Sequence, residues 1–259
     1  MDKHFELTDK FIINAFGAKL FQIKCTRKIK YADIGDLGGY IEKEDNLFGN
    51  AWVFGNAQVF GNARVFGDAQ VSGDAWVFGN ARVSGNARVS GNAWVYGYAQ
   101  VFGNAQVSGN ARVSGNAWVY GYAQVYGYAR VFGNARVSGN AQVFGNAWVF
   151  GDAQVSGNAQ VSGYAQVSGY ARVFGYALVF GDARVSNDNE HCGFDCFGSA
   201  NRHTHSYKTK SGKIEITCGC FRGSIEEFEK QIKETHRGNE FERQYMAIVE
   251  VIKIKFGLK

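Results

Sequence analysis

A six-residue unit, Gly-(Asn/Asp/Tyr)-Ala-x-Val-(Phe/Ser/Tyr), repeats twenty-three times from Gly49 to Ser186 without insertion or deletion. It occupies 138 of the 259 residues, so any fold for the chain must carry a strict period of six over that length. Val and Ala recur at fixed phase, two residues apart, which places both on one side of a short strand and x on the other. Position x is Gln, Arg or Trp, with Leu178 the exception, and that side is expected to face outward. β-Branched Val suits a pleated strand, and Ala leaves room where the chain turns. Gly beside Asn or Asp then supplies the corner, since both tolerate positive φ. At six corners Tyr replaces Asn or Asp: Tyr98, Tyr122, Tyr128, Tyr164, Tyr170 and Tyr176. Either Gly alone carries the turn there, or Tyr accepts a steric cost.

A period of six excludes helical repeats of about 30 residues or more and leucine-rich repeats of about 20–29. An aliphatic residue followed four positions later by a small one, as in Val53 to Ala57 and Val59 to Ala63, resembles the hexapeptide pattern of the left-handed parallel β-helix. That resemblance implies an all-β solenoid with three units per triangular coil and about eight coils. At roughly 4.8 Å between coils the prism is about 37 Å long. Each buried Val contributes about 1.5–3 kcal/mol of gross burial. The invariant phase of Val and Ala argues against reading this Gly/Asn-rich tract as disordered.

The expected division is an N-terminal cap over 1–48, the β-helix over 49–186 and a C-terminal α+β cap over 187–259. The open end of a β-helix exposes unpaired backbone and an apolar cross-section, so each end needs a cover. In the first segment Leu20 to Cys25 alternates like a strand, and Gly35-Asp36-Leu37-Gly38-Gly39-Tyr40-Ile41 reads as a turn into a rudimentary coil. Cys25, among apolar residues, is expected in the core. After Ser186, Thr204–Thr209 and Ile214–Cys218 read as a hairpin around Lys210-Ser211-Gly212-Lys213. Ser224 with Glu227 is a capping box opening a helix that Gly238 closes, with Ile225, Phe228 and Ile232 on its apolar side. Phe241, Tyr245, Ile248 and Ile252 mark a second helix. The Gly-Asn-Ala repeats, with the segment Asp36 to Glu44 before them and Cys218-Gly219-Cys220-Phe221 after, resemble bacterial and prophage-borne hexapeptide-repeat proteins. These include the YdcK-like group, described as transferases.

The net charge of +5 is thinly spread. The caps are nearly balanced, and the repeats hold eight Arg and four Asp with no Lys, Glu or His. No polybasic arm is present, so nucleic acid is not an expected partner, and the chain is too basic for a DNA mimic. No apolar run reaches the length of a membrane helix, and the first residues carry acid and base rather than a signal-peptide core. Five cysteines, none in the repeats, fit a reducing compartment, and the chain is read as cytoplasmic. Absence of proline suits an unbroken backbone ladder.

Stacking residues eighteen apart collects Gln58, Trp76, Trp94, Arg112, Arg130, Trp148, Gln166 and Arg184 on one face. The corner residues that follow include Phe60, Phe78, Tyr96, Phe132 and Phe150. The eight aromatics among them, Trp76, Trp94, Trp148, Phe60, Phe78, Tyr96, Phe132 and Phe150, form an expected contact surface for self-association or a protein partner. The competing reading is that they stack from coil to coil and stabilise the fold. The expected function is a non-catalytic scaffold, with no cofactor and no small-molecule substrate.

Two chemical alternatives come from the C-terminal segment. Cys192, Cys196, Cys218 and Cys220 with His203 and His205 contain enough ligands for a tetrahedral zinc site, although Cys-x3-Cys and Cys-x-Cys depart from the usual knuckle spacing. Buried thiols are the simpler expectation. The β-helix resemblance also implies a trimeric acyl- or acetyltransferase, which needs a general base, usually His, in a groove between prisms. Residues 49–186 contain no His, Cys or Glu, and His191, His203, His205 and His236 all lie beyond them. Ice binding would need Thr arrays, which the repeats lack.

Overall fold

The computed structural model describes residues 3–258, and Met1, Asp2 and Lys259 of the two predicted caps lie outside the described residues. The twenty-three units form a three-sided parallel β-solenoid of about eight coils. Each unit contributes a two-residue rung, x-Val, and each rung pairs in register with the rung eighteen residues on, as Trp94 does with Trp76 and Arg112. Every repeat Val and Ala is buried in one continuous core. Backbone bonds join the coils along the whole prism, for example Trp94 N–H to Ala111 O at 2.9 Å and Tyr96 N–H to Val113 O at 3.0 Å.

The corners resolve the question raised by tyrosine. The Gly of every unit adopts positive φ, between 56° and 73° in the repeats, and no residue at the second position does. At Gly115 a Cβ would also lie 2.8 Å from the next coil's Gly133 N, so glycine is required by both conformation and space. The second position is therefore free of backbone strain. Where it holds Asn or Asp, the side chains join successive coils, as Asn116 Nδ2 does to Asn134 Oδ1 at 3.1 Å and Asn134 Nδ2 to Asp152 Oδ1 at 3.0 Å. The turn chemistry expected of Asn is in fact amide laddering.

At the N-terminal end, β1 (Phe5–Ile13), β2 (Lys19–Cys25) and β3 (Leu37–Ile41) continue one solenoid sheet, making it eleven strands wide. β1 and β2 are antiparallel, and β3 then pairs in parallel with the rung at Gln58. Gly38 and Gly39 permit this close seating: a Cβ on Gly38 would lie 2.6 Å from Val53 O, and one on Gly39 2.7 Å from Ala57 O. Phe5, Ile23 and Cys25 join the same core as the repeats.

At the C-terminal end a separate antiparallel sheet of β4 (His191–Phe197), β5 (Arg202–Lys208), β6 (Ile214–Cys218) and β7 (Phe221–Gly223) crosses the prism. β5 and β6 form the expected hairpin, while β4 and β7 carried no clear alternation in the sequence. α1 (Ile225–His236) and α2 (Glu240–Phe256) cover the outer side of this sheet. Ser224 and Glu227 close the expected capping box on α1, and Asn239 caps α2 through its side chain to Phe241 N and Glu242 N. Ile225, Phe228 and Ile232 of α1 and Tyr245, Ile248, Val249 and Ile252 of α2 pack with Ile216 and Cys218 in a second core. Among the described residues no helix is long and apolar enough to cross a membrane.

Candidate functional site

The face built on the rungs from Gln58 to Arg184 carries four of the six stacked aromatic pairs described in the solenoid. Strict register places like side chains one coil apart, so its aromatics stack rather than stand alone. Trp76 and Trp94 are parallel to within 1° with centroids 5.2 Å apart. Phe60, Phe78 and Tyr96 form a second column at 5.0 Å spacing, and Phe132 and Phe150 repeat the arrangement farther along. Arginines continue the columns: Arg112 lies over Trp94 at 4.7 Å and Arg130 over Trp148 at 5.1 Å. Because ring faces are spent on neighbours along the ladder, ring and guanidinium edges are what the solvent meets.

Two side chains expected to face outward are covered by the N-terminal cap, one on this face and one on another. Phe60 is only 7% exposed, because Phe16 in the β1–β2 turn packs on Phe60, Trp76 and Phe78 at 5.8, 5.6 and 5.4 Å. Phe60 is thus a core residue of the N-terminal cap, grouped with Leu20 and Tyr40. Trp52, at a position read as outward, is likewise buried at 1% exposure, beside His4. Trp94, Tyr96, Phe132, Trp148 and Phe150 are half-buried within the stacks, and Trp76 and Phe78 are half-buried with Phe16 packed on them as well. The most exposed aromatics of the solenoid are the corner tyrosines and Phe174, which alternation in the strand gave no reason to single out.

Toward the C-terminal half of this face, a groove of about 410 Å³ runs between the rung column and the preceding corner. Arg112, Arg130 and Arg184 lie along it with Trp148, and Tyr128 and Tyr164 rise from its corner side. Among the described residues, none of these three arginines is in an ion pair, whereas Arg172 on another face is held by Asp188 at 2.6 Å. Arg184 Nη1 is buried with no hydrogen-bond partner.

The second concentration of chemistry is the inner side of the C-terminal sheet. Alternation and register bring His191 of β4 and His205 and Tyr207 of β5 against the last coil. His205 is buried and donates from Nδ1 to Leu178 O at 3.0 Å, which fixes the proton on that nitrogen. Its Nε2 then accepts from His191 Nδ1 at 3.1 Å. Burial pushes His205 down to about 3 and also lowers His191, whose neighbour Asp188 opposes the shift only in part. His203 donates from Nδ1 to Asp195 Oδ1 at 2.6 Å. Both nitrogens of His205 are engaged within the fold, and His236 stacks on Tyr245 at the far side of the sheet. His191, His203 and His205 thus lie on the solenoid side of the sheet, and His236 lies on the helix side.

The candidate zinc ligands are not brought together. His203 and His205 face the solenoid, whereas Cys192 and Cys218 face the helices, with Cys192 Sγ 3.1 Å from Ser206 Oγ and Cys218 Sγ 3.9 Å from Tyr245 OH. Cys196 and Cys220 are exposed. Among the described residues no group of three His, Cys, Asp or Glu side chains is placed to hold a metal ion. Cys25 is a core residue whose thiol donates to Arg27 O at 3.1 Å.

The YdcK beta solenoid repeat matches the chain at residues 57–73, 81–97, 105–121, 123–139, 129–143, 141–157 and 153–169. The solenoid of this protein is therefore built of YdcK-type β-solenoid repeats. No curated protein matches the chain.

Proposed function

We propose that this protein is a rigid, non-catalytic interaction scaffold, and that the rung face from Trp76 to Trp148 is where a second copy of the chain or a protein partner docks. One observation carries the reading. The aromatic and arginine side chains of that face are already locked into parallel stacks, so binding there loses little further side-chain freedom. The N-terminal cap occupies one end of the face, which leaves Trp94, Tyr96, Phe132, Trp148 and Phe150 as its working part. Five unpaired thiols support a cytoplasmic setting.

The test is absolute mass by light scattering coupled to size exclusion, over a range of concentrations. Trp94→Ser with Trp148→Ser should lower the mass at a given concentration while circular dichroism keeps the β-solenoid signal. An unchanged mass in the well-folded variant overturns the reading for this face. A discrete trimer that survives both substitutions would favour transferase chemistry at grooves between prisms.

A further inference from the structure

We infer that the groove flanked by Arg112, Arg130 and Arg184 binds a linear acidic polysaccharide carrying a carboxylate on its sugar units. The inference goes beyond the protein-docking reading, which concerns the rung aromatics, and assigns a different ligand to the arginine groove beside them. Charge is the first argument. Three guanidinium groups share the groove with no acidic side chain among its lining residues. The corresponding groove on the Trp118 face, between Arg64 and Arg82, includes Asp45 as well as Lys43, so its positive excess is smaller. An uncompensated row of arginines calls for anions, and the guanidinium fork matches a carboxylate with two parallel hydrogen bonds. Stacking of Arg112 on Trp94 and of Arg130 on Trp148 orients the two forks before any ligand arrives. The outward ring edges carry the positive end of the aromatic quadrupole and favour the same sign of ligand.

Shape and the neutral lining distinguish a sugar chain from a nucleic acid. Asn110, Asn146 and Gln166 add amides to the groove, and each amide can both donate to and accept from hydroxyl groups. A single-stranded nucleic acid needs open aromatic faces on which bases stack. Here the Trp148 ring is covered by Arg130 on the ladder side. Tyr128 and Tyr164 are two coils apart, about 9.6 Å, with the shorter Asn146 between them. A planar base touching both walls would need only about 7–8 Å. A puckered pyranose ring is thicker and fills more of that gap. From Arg112 to Arg184 the groove runs four rungs, about 19 Å, enough for several sugar units in extended form. Repetition of modest contacts on a rigid ladder is a suitable way to hold such a chain.

The probe is a short oligomer of galacturonate, titrated calorimetrically into the whole protein at low and moderate salt. Its fully methyl-esterified form and a thymidine oligonucleotide serve as comparisons. Binding of the acid form should weaken with salt, and at least about tenfold in Arg112→Gln with Arg130→Gln. Esterification should remove it, and Arg64→Gln with Arg82→Gln should leave it unchanged. Equal binding of acid and ester, tighter binding of the oligonucleotide, wild-type affinity in the Arg112/Arg130 variant, or no binding of the acid form overturns the inference. Mass is measured on the same samples. Loss of mass in the Trp94/Trp148 variant without galacturonate binding would sink the polysaccharide and spare the scaffold, and failure of both would remove both.

Discussion

The two ends of the solenoid solve one problem in opposite ways. A stack of parallel coils leaves unpaired backbone at each end, and the two caps differ in the balance of their partners, although Glu42 also accepts from Gly61 N–H at the N-terminal end. At the N-terminal end free carbonyls face outward, and donors meet them: His4 Nε2 on Ala51 O at 2.9 Å, Asn46 Nδ2 on Ala63 O at 2.8 Å and Tyr40 N–H on Ala57 O at 2.9 Å. At the C-terminal end carboxylates meet free N–H groups, Asp188 on Arg172 N at 2.8 Å and Glu190 on Ser186 N at 2.7 Å, while His205 donates to Leu178 O. The N-terminal cap also continues a solenoid sheet and shares its apolar core. The C-terminal cap has a sheet and core of its own and meets the last coil through a largely polar side. One end is an extension of the prism, and the other is a lid upon it.

Three changes would break or sharpen that contrast. The largest effect is expected from Ile23→Ala, which opens a cavity where the N-terminal cap and the first coils share one core, at a cost of about 2–5 kcal/mol. Calorimetry should show the whole solenoid melting earlier in a single transition. A separate early transition confined to the cap would mean that the shared core does not couple them.

Acid should act next, and mainly on the lid. His205 is held near 3 in the folded protein, against an ordinary value of 6.5, so the unfolded state binds more protons between those limits. Stability is full above about pH 6.5 and falls as pH drops, by about 2 kcal/mol at pH 5 from His205 alone. His191 is shifted in the same direction. His4 is lowered too, but the cap around it is held by apolar packing as well. Hydrogen exchange at pH 5 should therefore rise in residues 191–256 before residues 5–41. The reverse order would contradict the distinction between lid and extension.

The smallest effect is expected in the corners between the two ends. Tyr170→Asn should change stability by no more than about 0.5 kcal/mol, because Gly169 carries the positive φ and Tyr170 is 77% exposed. A denaturant midpoint shifted well beyond that range would show the tyrosine to be structural.

Sequence alone determined the body of this protein. Gly, Ala and Val at fixed phase specify corner, turn space and inward rung, and twenty-three copies leave no competing register, so coil count and ladder composition follow from counting. The capping box at Ser224 and the hairpin of β5 and β6 were legible for the same local reason. What closes the ends was not. Trp52 and Phe60 carry the same repeat signal as their outward neighbours and are buried only because the N-terminal cap folds over them. The short apolar stretch of β1 gave no clean period by which to foresee that cover. Alternation puts His203 and His205 on one side of β5, but the side taken by Cys218 depends on its pairing with Thr204. That register, set between strands, separates thiols from imidazoles and turns a possible metal cluster into a polar seal. Periodic chemistry is local and can be read along the chain, while the fit of a cap on a solenoid end is a contact between distant segments and is decided only when they pack.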